Sequence, residues 1–186
     1  VQDDEVVDIL GELKNDVGRL KLIADRFSKM GSQPELEEVD IRPSLEKIMH
    51  YMDKLAPKKV HFHYAPPPER IMVKINPPIF EWVIENLIRN ALDALEGEGD
   101  ITLDVMDLDQ EVQIDVSDSG KGIPAKLHQK VFKPGFSTKK RGWGLGLSLA
   151  KRIVEAYHKG EIFVKKSAAG AGTTFSIVLP KYKSAT

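Results

Sequence analysis

The sequence predicts an α+β fold, a two-layer α/β sandwich with a mixed, mainly antiparallel sheet, helices on one face of it, and one long helix in front. Two short runs, Ile101–Val105 and Val112–Val116, alternate apolar and polar residues as strands with one buried face do. Elsewhere, Pro43–Leu55, the segment after Pro77-Pro78, and Leu145–Tyr157 repeat their hydrophobes at a period near 3.6. Helices and strands of this kind bury their apolar faces by stacking in layers.

The leading segment comes first. Val6, Ile9, Leu10, Leu13, Val17, Leu20, Ala24 and Phe27 recur at helical spacing in a stripe only about 100° wide. Gly31-Ser-Gln-Pro34 stops that helix. A single helix cannot bury such a stripe alone. Its partner is expected to be a helix absent from this chain, its own copy in a homodimer through residues 1–33, or the domain that follows. The division expected is therefore 1–33 as a helical-hairpin remnant and 34–183 as the main domain.

In that domain Val39–Ile41 is expected as a short strand and Pro43–Leu55 as a helix with proline in its first turn. Val60–Tyr64 and Ile71–Ile75 read as strands around the turn-forming Pro66–Arg70. The next helix carries Asn86-Leu-Ile-Arg-Asn-Ala-Leu-Asp-Ala94. Ile84, Leu87, Ile88, Ala91 and Leu95 share an apolar arc, and Glu81, Glu85, Arg89 and Glu96 the charged one. Asn86, Asn90 and Asp93 fall on the seam between the arcs. Residues 118–144 are rich in Gly, Pro, Ser and Lys and show no long period. Glu161–Val164 and Thr174–Leu179 close the domain as strands.

The totals limit the function classes. With 186 residues, 41% hydrophobic and 30% charged, the chain suits one globular domain plus an appendage. A formal net charge of −1 argues against a general nucleic-acid-binding surface, so no nucleic-acid partner is expected. The absence of cysteine excludes disulfides, thiolate metal sites and thiol nucleophiles, which is compatible with a reducing compartment. No apolar run approaches the ~20 residues of a membrane span, and no signal peptide is visible. The expectation is a cytoplasmic domain cut from a parent that is a candidate for membrane anchoring.

Three glycine-bearing elements follow the asparagine helix. Asp118-Ser-Gly-Lys-Gly122 ends an alternating run, where an aspartate is a fixed acceptor and glycines let a flat group approach the backbone. By itself it is an ordinary β-turn. Gly142-Trp-Gly-Leu-Gly-Leu147 opens a helix, where unpaired N–H groups suit phosphate. It matches neither the dinucleotide fingerprint nor the P-loop, since it lacks the strand–turn–helix setting of one and the closing Gly-Lys-Ser/Thr of the other. Gly170-Ala-Gly-Thr-Thr-Phe175 by itself is a hairpin turn. Lys133, Lys139, Lys140 and Arg141 cluster in the long loop before the second element; such a run is usually a solvated surface, and in this context it also suits a triphosphate. One carboxamide is enough for Mg²⁺ in a nucleotide site, because phosphates and water supply most of its ligands.

What overrides the plain readings is the order of the parts. Asn86-x-x-x-Asn90-Ala, Asp118-x-Gly-x-Gly, Phe132 and Phe136 with Thr138-Lys139, Gly142-x-Gly-x-Gly-Leu147 and Gly170-x-Gly-Thr-Thr-Phe175 follow one another. The set resembles the N, G1, F, G2 and G3 boxes of the catalytic ATP-binding domain of sensor histidine kinases. That domain is a member of the GHKL superfamily with the Bergerat ATP-binding fold. The resemblance spans residues 39–180 and implies ATP and Mg²⁺ as cofactors.

Carried over, it implies that Asn90 coordinates Mg²⁺ and takes part in catalysis with Lys139, a phosphate ligand. Asn86 would line the same nucleotide edge, and Asp118 would accept from the adenine amine. Gly120 and Gly122 would shape the start of the lid. Gly142, Gly144, Leu145, Gly146 and Leu147 would face the phosphates. Thr173, or else Thr174, would sit near adenine. Asp93 is acidic where many of these kinases are basic, so it receives no phosphate contact.

Hydrolysing GHKL members resemble one another in placing Glu four residues before the metal Asn. Here that residue is Asn86, a poor general base. Glu85 lies about 100° away around the helix. The resemblance thus implies γ-phosphoryl transfer to a histidine on a helical hairpin, in a two-component phosphoprotein that serves a response regulator. A GHKL-type ATPase and a non-catalytic nucleotide-binding module are the alternatives. Residues 1–33 resemble the second hairpin helix. None of His50, His61, His63, His128 and His158 carries the acceptor pattern, and each is expected at the surface or in a sheet.

Overall fold

The computed structural model describes residues 34–139 and 144–182. The expected leading helix, residues 1–33, lies outside them, as do Lys140, Arg141 and Gly142. In chain order the elements are β1 (Glu37–Asp40), α1 (Ile41–Leu55), β2 (Lys59–Tyr64), β3 (Met72–Ile75), α2 (Pro77–Leu95), β4 (Glu98–Asp107) and β5 (Glu111–Asp118). After the short 3₁₀ turns Ala125–Leu127 and Lys130–Phe132 come α3 (Gly146–Arg152), β6 (Glu161–Ser167) and β7 (Thr173–Pro180).

The main sheet has the order β2-β4-β5-β7-β6. Only β2–β4 is parallel, as it must be when β3 and α2 intervene and carry the chain back across. The other pairs are antiparallel. The helix-facing residues Ile101, Leu103, Val112, Ile114, Val116, Ile162, Phe175, Ile177 and Leu179 are buried. They meet Phe80, Val83, Ile84, Leu87, Ile88 and Ala91 of α2, whose apolar arc forms the centre of the core. Period-two strands against a period-3.6 helix therefore produced the expected sandwich.

Several boundaries differ from the expectation, each for a local reason. The helix expected from Pro43 begins at Ile41, leaving β1 to end at Asp40. Asp40 is the cap, accepting from the Arg42 N–H at 3.2 Å. The Arg42 guanidinium also donates to Asp40, which holds that carboxyl below its ordinary range. β4 runs from Glu98 to Asp107, well beyond Ile101–Val105, because pairing on both sides carries it past the alternating core. α2 starts at Pro77 with Asn76 Oδ1 accepting from the Ile79 N–H at 3.3 Å.

The stretch Leu145–Tyr157 is α-helical only from Gly146 to Arg152 and continues as a π turn over Ile153–Tyr157. His158 explains the change. Its N–H reaches Ile153 O at 3.2 Å, five residues back, and its Nδ1 lies 3.0 Å from the same oxygen. Its Nε2 accepts from the Asn76 N–H at 3.1 Å, so the ring joins the end of this helix to the start of α2. The expectation of a surface or sheet histidine fails here: His158 is buried, and burial pulls its pKa down to about 4. A histidine in a polar-looking run carries no sequence mark of this role.

Candidate functional site

Among the described residues, the expected ones lie along the second half of α2, with Gly146 against Asn86 and Gly120 against Ala94. Asn86, Asn90 and Asp93 are spaced by four and three along the helix, so they rise on one face beside its buried arc. Asn86 Oδ1 rests against Gly146, the first residue of α3, so closely that a Cβ at Gly146 would overlap it. The Asn86 Nδ2 is buried and has no hydrogen-bond partner among the described residues. A buried amide donor normally finds an acceptor, so this one is left free to donate.

Lys139 comes from the long loop. Its ammonium donates to Asn90 Oδ1 at 2.9 Å and to Asp93 Oδ2. Two oxygens one helical turn apart thus already hold a cation. Glu85 turns away from them and pairs with Arg89 at 2.7 Å.

Gly144 lies just before α3. It has φ +63°, and its carbonyl accepts from the Gly135 N–H at 3.0 Å. A side chain there would strike the backbone of Gly135 and Phe136, so this glycine lets the loop close against the helix start. The Leu145 carbonyl accepts from Leu149 N–H at 2.9 Å and Ser148 Oγ at 3.0 Å, which fixes the first turn. Leu145, Gly146 and Leu147 are all half-buried there.

Asp118 ends β5 in register with Thr173, the first residue of β7. Its Oδ1 accepts from the Gly120 N–H at 2.9 Å, and Thr173 also donates to it through its backbone. Burial outweighs these bonds and pushes its pKa above the ordinary carboxylate value. Thr174 pairs instead with Ser117 at 2.9 Å, across the sheet from Thr173. Of the two threonines left open by the sequence, Thr173 is the one beside Asp118.

The loop after Asp118 is laced to the β6–β7 turn. Gly172 N–H donates to Gly120 O at 2.9 Å and Gly170 N–H to Lys121 O at 2.7 Å. Gly122, at φ +71°, lets the Ala168 carbonyl pack where a Cβ would be. Ser167, which the sequence did not single out, ties the lacing together. Its Oγ accepts from Ile123 N–H at 2.7 Å and lies 2.9 Å from both Gly172 O and Thr173 Oγ1. Only its register opposite Thr173 marks it, and that needs the hairpin pairing first.

Comparison with known proteins fits this arrangement. Residues 75–183 match the family described as histidine kinase-, DNA gyrase B-, and HSP90-like ATPase. The chain is 33% identical to the adaptive-response sensory kinase SasA of Crocosphaera subtropica, over 87% of this chain and 44% of that protein. It is 38% identical to the sensor histidine kinase ZraS of Klebsiella oxytoca, over 67% of this chain and 27% of that protein. The chain thus spans less than half the length of these curated relatives. The nucleotide-free catalytic domain of the histidine kinase ThkA superposes with a TM-score of 0.72 at 29% identity, covering 80% of this chain and 97% of that one. ThkA in complex with the response regulator protein TrrA gives 0.74 at 25% identity, covering 91% and 49%.

Proposed function

The chain belongs to the histidine kinase-, DNA gyrase B-, and HSP90-like ATPase family, and we propose that it is the ATP-binding catalytic part of a two-component sensor histidine kinase. Its reaction is transfer of the ATP γ-phosphoryl group to a histidine on a helical hairpin of the parent, which then serves a response regulator. Residues 1–33 are assigned to that hairpin, with a homodimer formed through them, and residues 34–183 to the catalytic domain. The observation that carries transfer over hydrolysis is the identity of the residue one turn before Asn90. It is Asn86, lying on Gly146, while the neighbouring Glu85 is engaged by Arg89. No carboxylate is left at that position to activate water.

The roles follow from the chemistry of each group. Asp118 accepts from the exocyclic amine of adenine, whereas guanine offers an oxygen there and is repelled. Thr173 lies beside that contact, and Gly120 and Gly122 let the following loop pack closely on the Ala94 and Ala168 backbones next to it. Asn86 Nδ2 donates to the nucleotide. Gly142, Gly144, Leu145, Gly146 and Leu147 line the phosphate side, and Lys139 neutralises phosphate charge. The donor set also fits a divalent ion, since an ammonium already rests on Asn90 Oδ1. Asn90 is the residue that would hold Mg²⁺, which supplies charge neutralisation across the phosphates. Catalysis then comes from positioning and charge stabilisation.

The test follows γ-labelled ATP with Mg²⁺, this chain, its Asn90→Ala variant and an added acceptor hairpin. Label on the hairpin histidine, absent in the variant and with little free phosphate, is the expected result. Steady phosphate release without the hairpin would instead mean an ATPase. Nucleotide binding with neither product would mean a regulatory module.

A further inference from the structure

We propose that Asp93 is the second oxygen donor of a cation site shared with Asn90, holding the Lys139 ammonium in the free protein and facing Mg²⁺ when Mg-ATP is bound. This rests on the nucleotide reading above but assigns a residue to which that reading gives no part. Asp93 stands three residues after Asn90 on α2, so its carboxylate and the Asn90 carboxamide oxygen project from one face. The Lys139 ammonium bridges them, donating to both. A primary ammonium and a divalent ion ask for the same thing, oxygen atoms converging with negative charge behind them.

Charge explains why the carboxylate belongs to the metal rather than to the phosphates. A triphosphate brought to Asn90 sets several negative charges beside Asp93, which repels it unless a cation stands between. Among the described residues, Lys139 alone would then have to neutralise both. With Mg²⁺ at Asn90, Asp93 faces a divalent charge directly or through its water, and Lys139 is released to the phosphates. Mg²⁺ in nucleotide sites commonly takes one or two carboxylates together with phosphate oxygens. Asp93 is 57% exposed and bonded only to Lys139 among the described residues, so it supports no packing that a substitution would disturb.

The sign of the metal effect tests the assignment. The affinity of the whole chain for ATP is measured by titration calorimetry in EDTA and again in Mg²⁺, and the ratio of the two is the gain due to metal. In Asp93→Asn, binding in EDTA should tighten, because a repelling charge is gone. Binding in Mg²⁺ should weaken, and the gain should fall about tenfold or more, as when a supporting ligand of a metal is lost. Asp93→Glu should retain most of the gain.

Equal changes of affinity with and without Mg²⁺ would overturn the proposal, leaving Asp93 as a resting place for Lys139 only. Unchanged affinity in both would also overturn it. If the unsubstituted chain binds no ATP, or if Asn90→Ala keeps the full metal gain, the nucleotide reading fails first and takes the Asp93 assignment with it.

Discussion

Around Asp118 the chain is bound main chain to main chain. Gly172 and Gly170 donate to the carbonyls of Gly120 and Lys121, and Ser167 secures the far end. Around Asn90 the contacts run between side-chain tips instead: a lysine from a long loop reaches an amide and an exposed carboxylate. The Asp118 end is thus prebuilt by backbone bonds and glycine close approaches that cannot rearrange singly. The Asn90 end is held by contacts that exchange partners cheaply, since an exposed ion pair contributes only about 0–1 kcal/mol. On the reading proposed above the division makes physical sense. There the base would meet a rigid surface, and the phosphates, which change during reaction, one that can move.

The sharpest way to break this comparison is to disturb the rigid end. Gly122→Ala adds a Cβ onto the Ala168 carbonyl at a left-handed backbone position. Chemical denaturation should show a loss of roughly 2–4 kcal/mol. Gly170→Ala, at φ +73° but with open space around it, should cost only about 1 kcal/mol. Equal costs would mean that the lacing is not tight.

His158, outside both ends, provides an internal reference for stability. Its folded pKa of about 4 lies below the 6.5 of a free imidazole, so the unfolded chain binds more protons between those values. Its contribution is complete above pH 6.5 and is lost as pH falls towards about 4, on the order of 3 kcal/mol in all. Denaturation at successive pH values should show this slope, and His158→Gln should flatten it.

The proposed base contact is tested through Asp118. Because burial raises its pKa, ATP affinity should begin to fall at a higher pH than an ordinary aspartate would give. Asp118→Asn, which must turn an amide donor towards either Gly120 N–H or the adenine amine, should lose about 10- to 100-fold in affinity. It should also lose that acid-side dependence.

Lys139→Ala should give the smallest stability effect, within about 0.5 kcal/mol by thermal unfolding, while ATP affinity falls. A destabilisation as large as that of Gly122→Ala would erase the distinction between the two ends.

Much of this was legible in the chain itself. Period-two runs against period-3.6 runs determined the sandwich, because burial of one face leaves that signature whatever the partner. The spacing of Asn86, Asn90 and Asp93 put them on one helical face, since helix geometry is local. The glycines at 120, 122, 144 and 146 stood out because close approach excludes side chains. What joins distant segments was not legible. Only the tertiary structure decided that His158 would be buried and bend its helix into a π turn, that Ser167 would secure the loop after Asp118, and that Thr173 rather than Thr174 would flank Asp118. Only it could bring Lys139 onto Asn90 and Asp93, 49 and 46 residues away. Periodicity records which face of an element is buried, but a single hydrogen bond between two loops leaves no repeat for a sequence to carry.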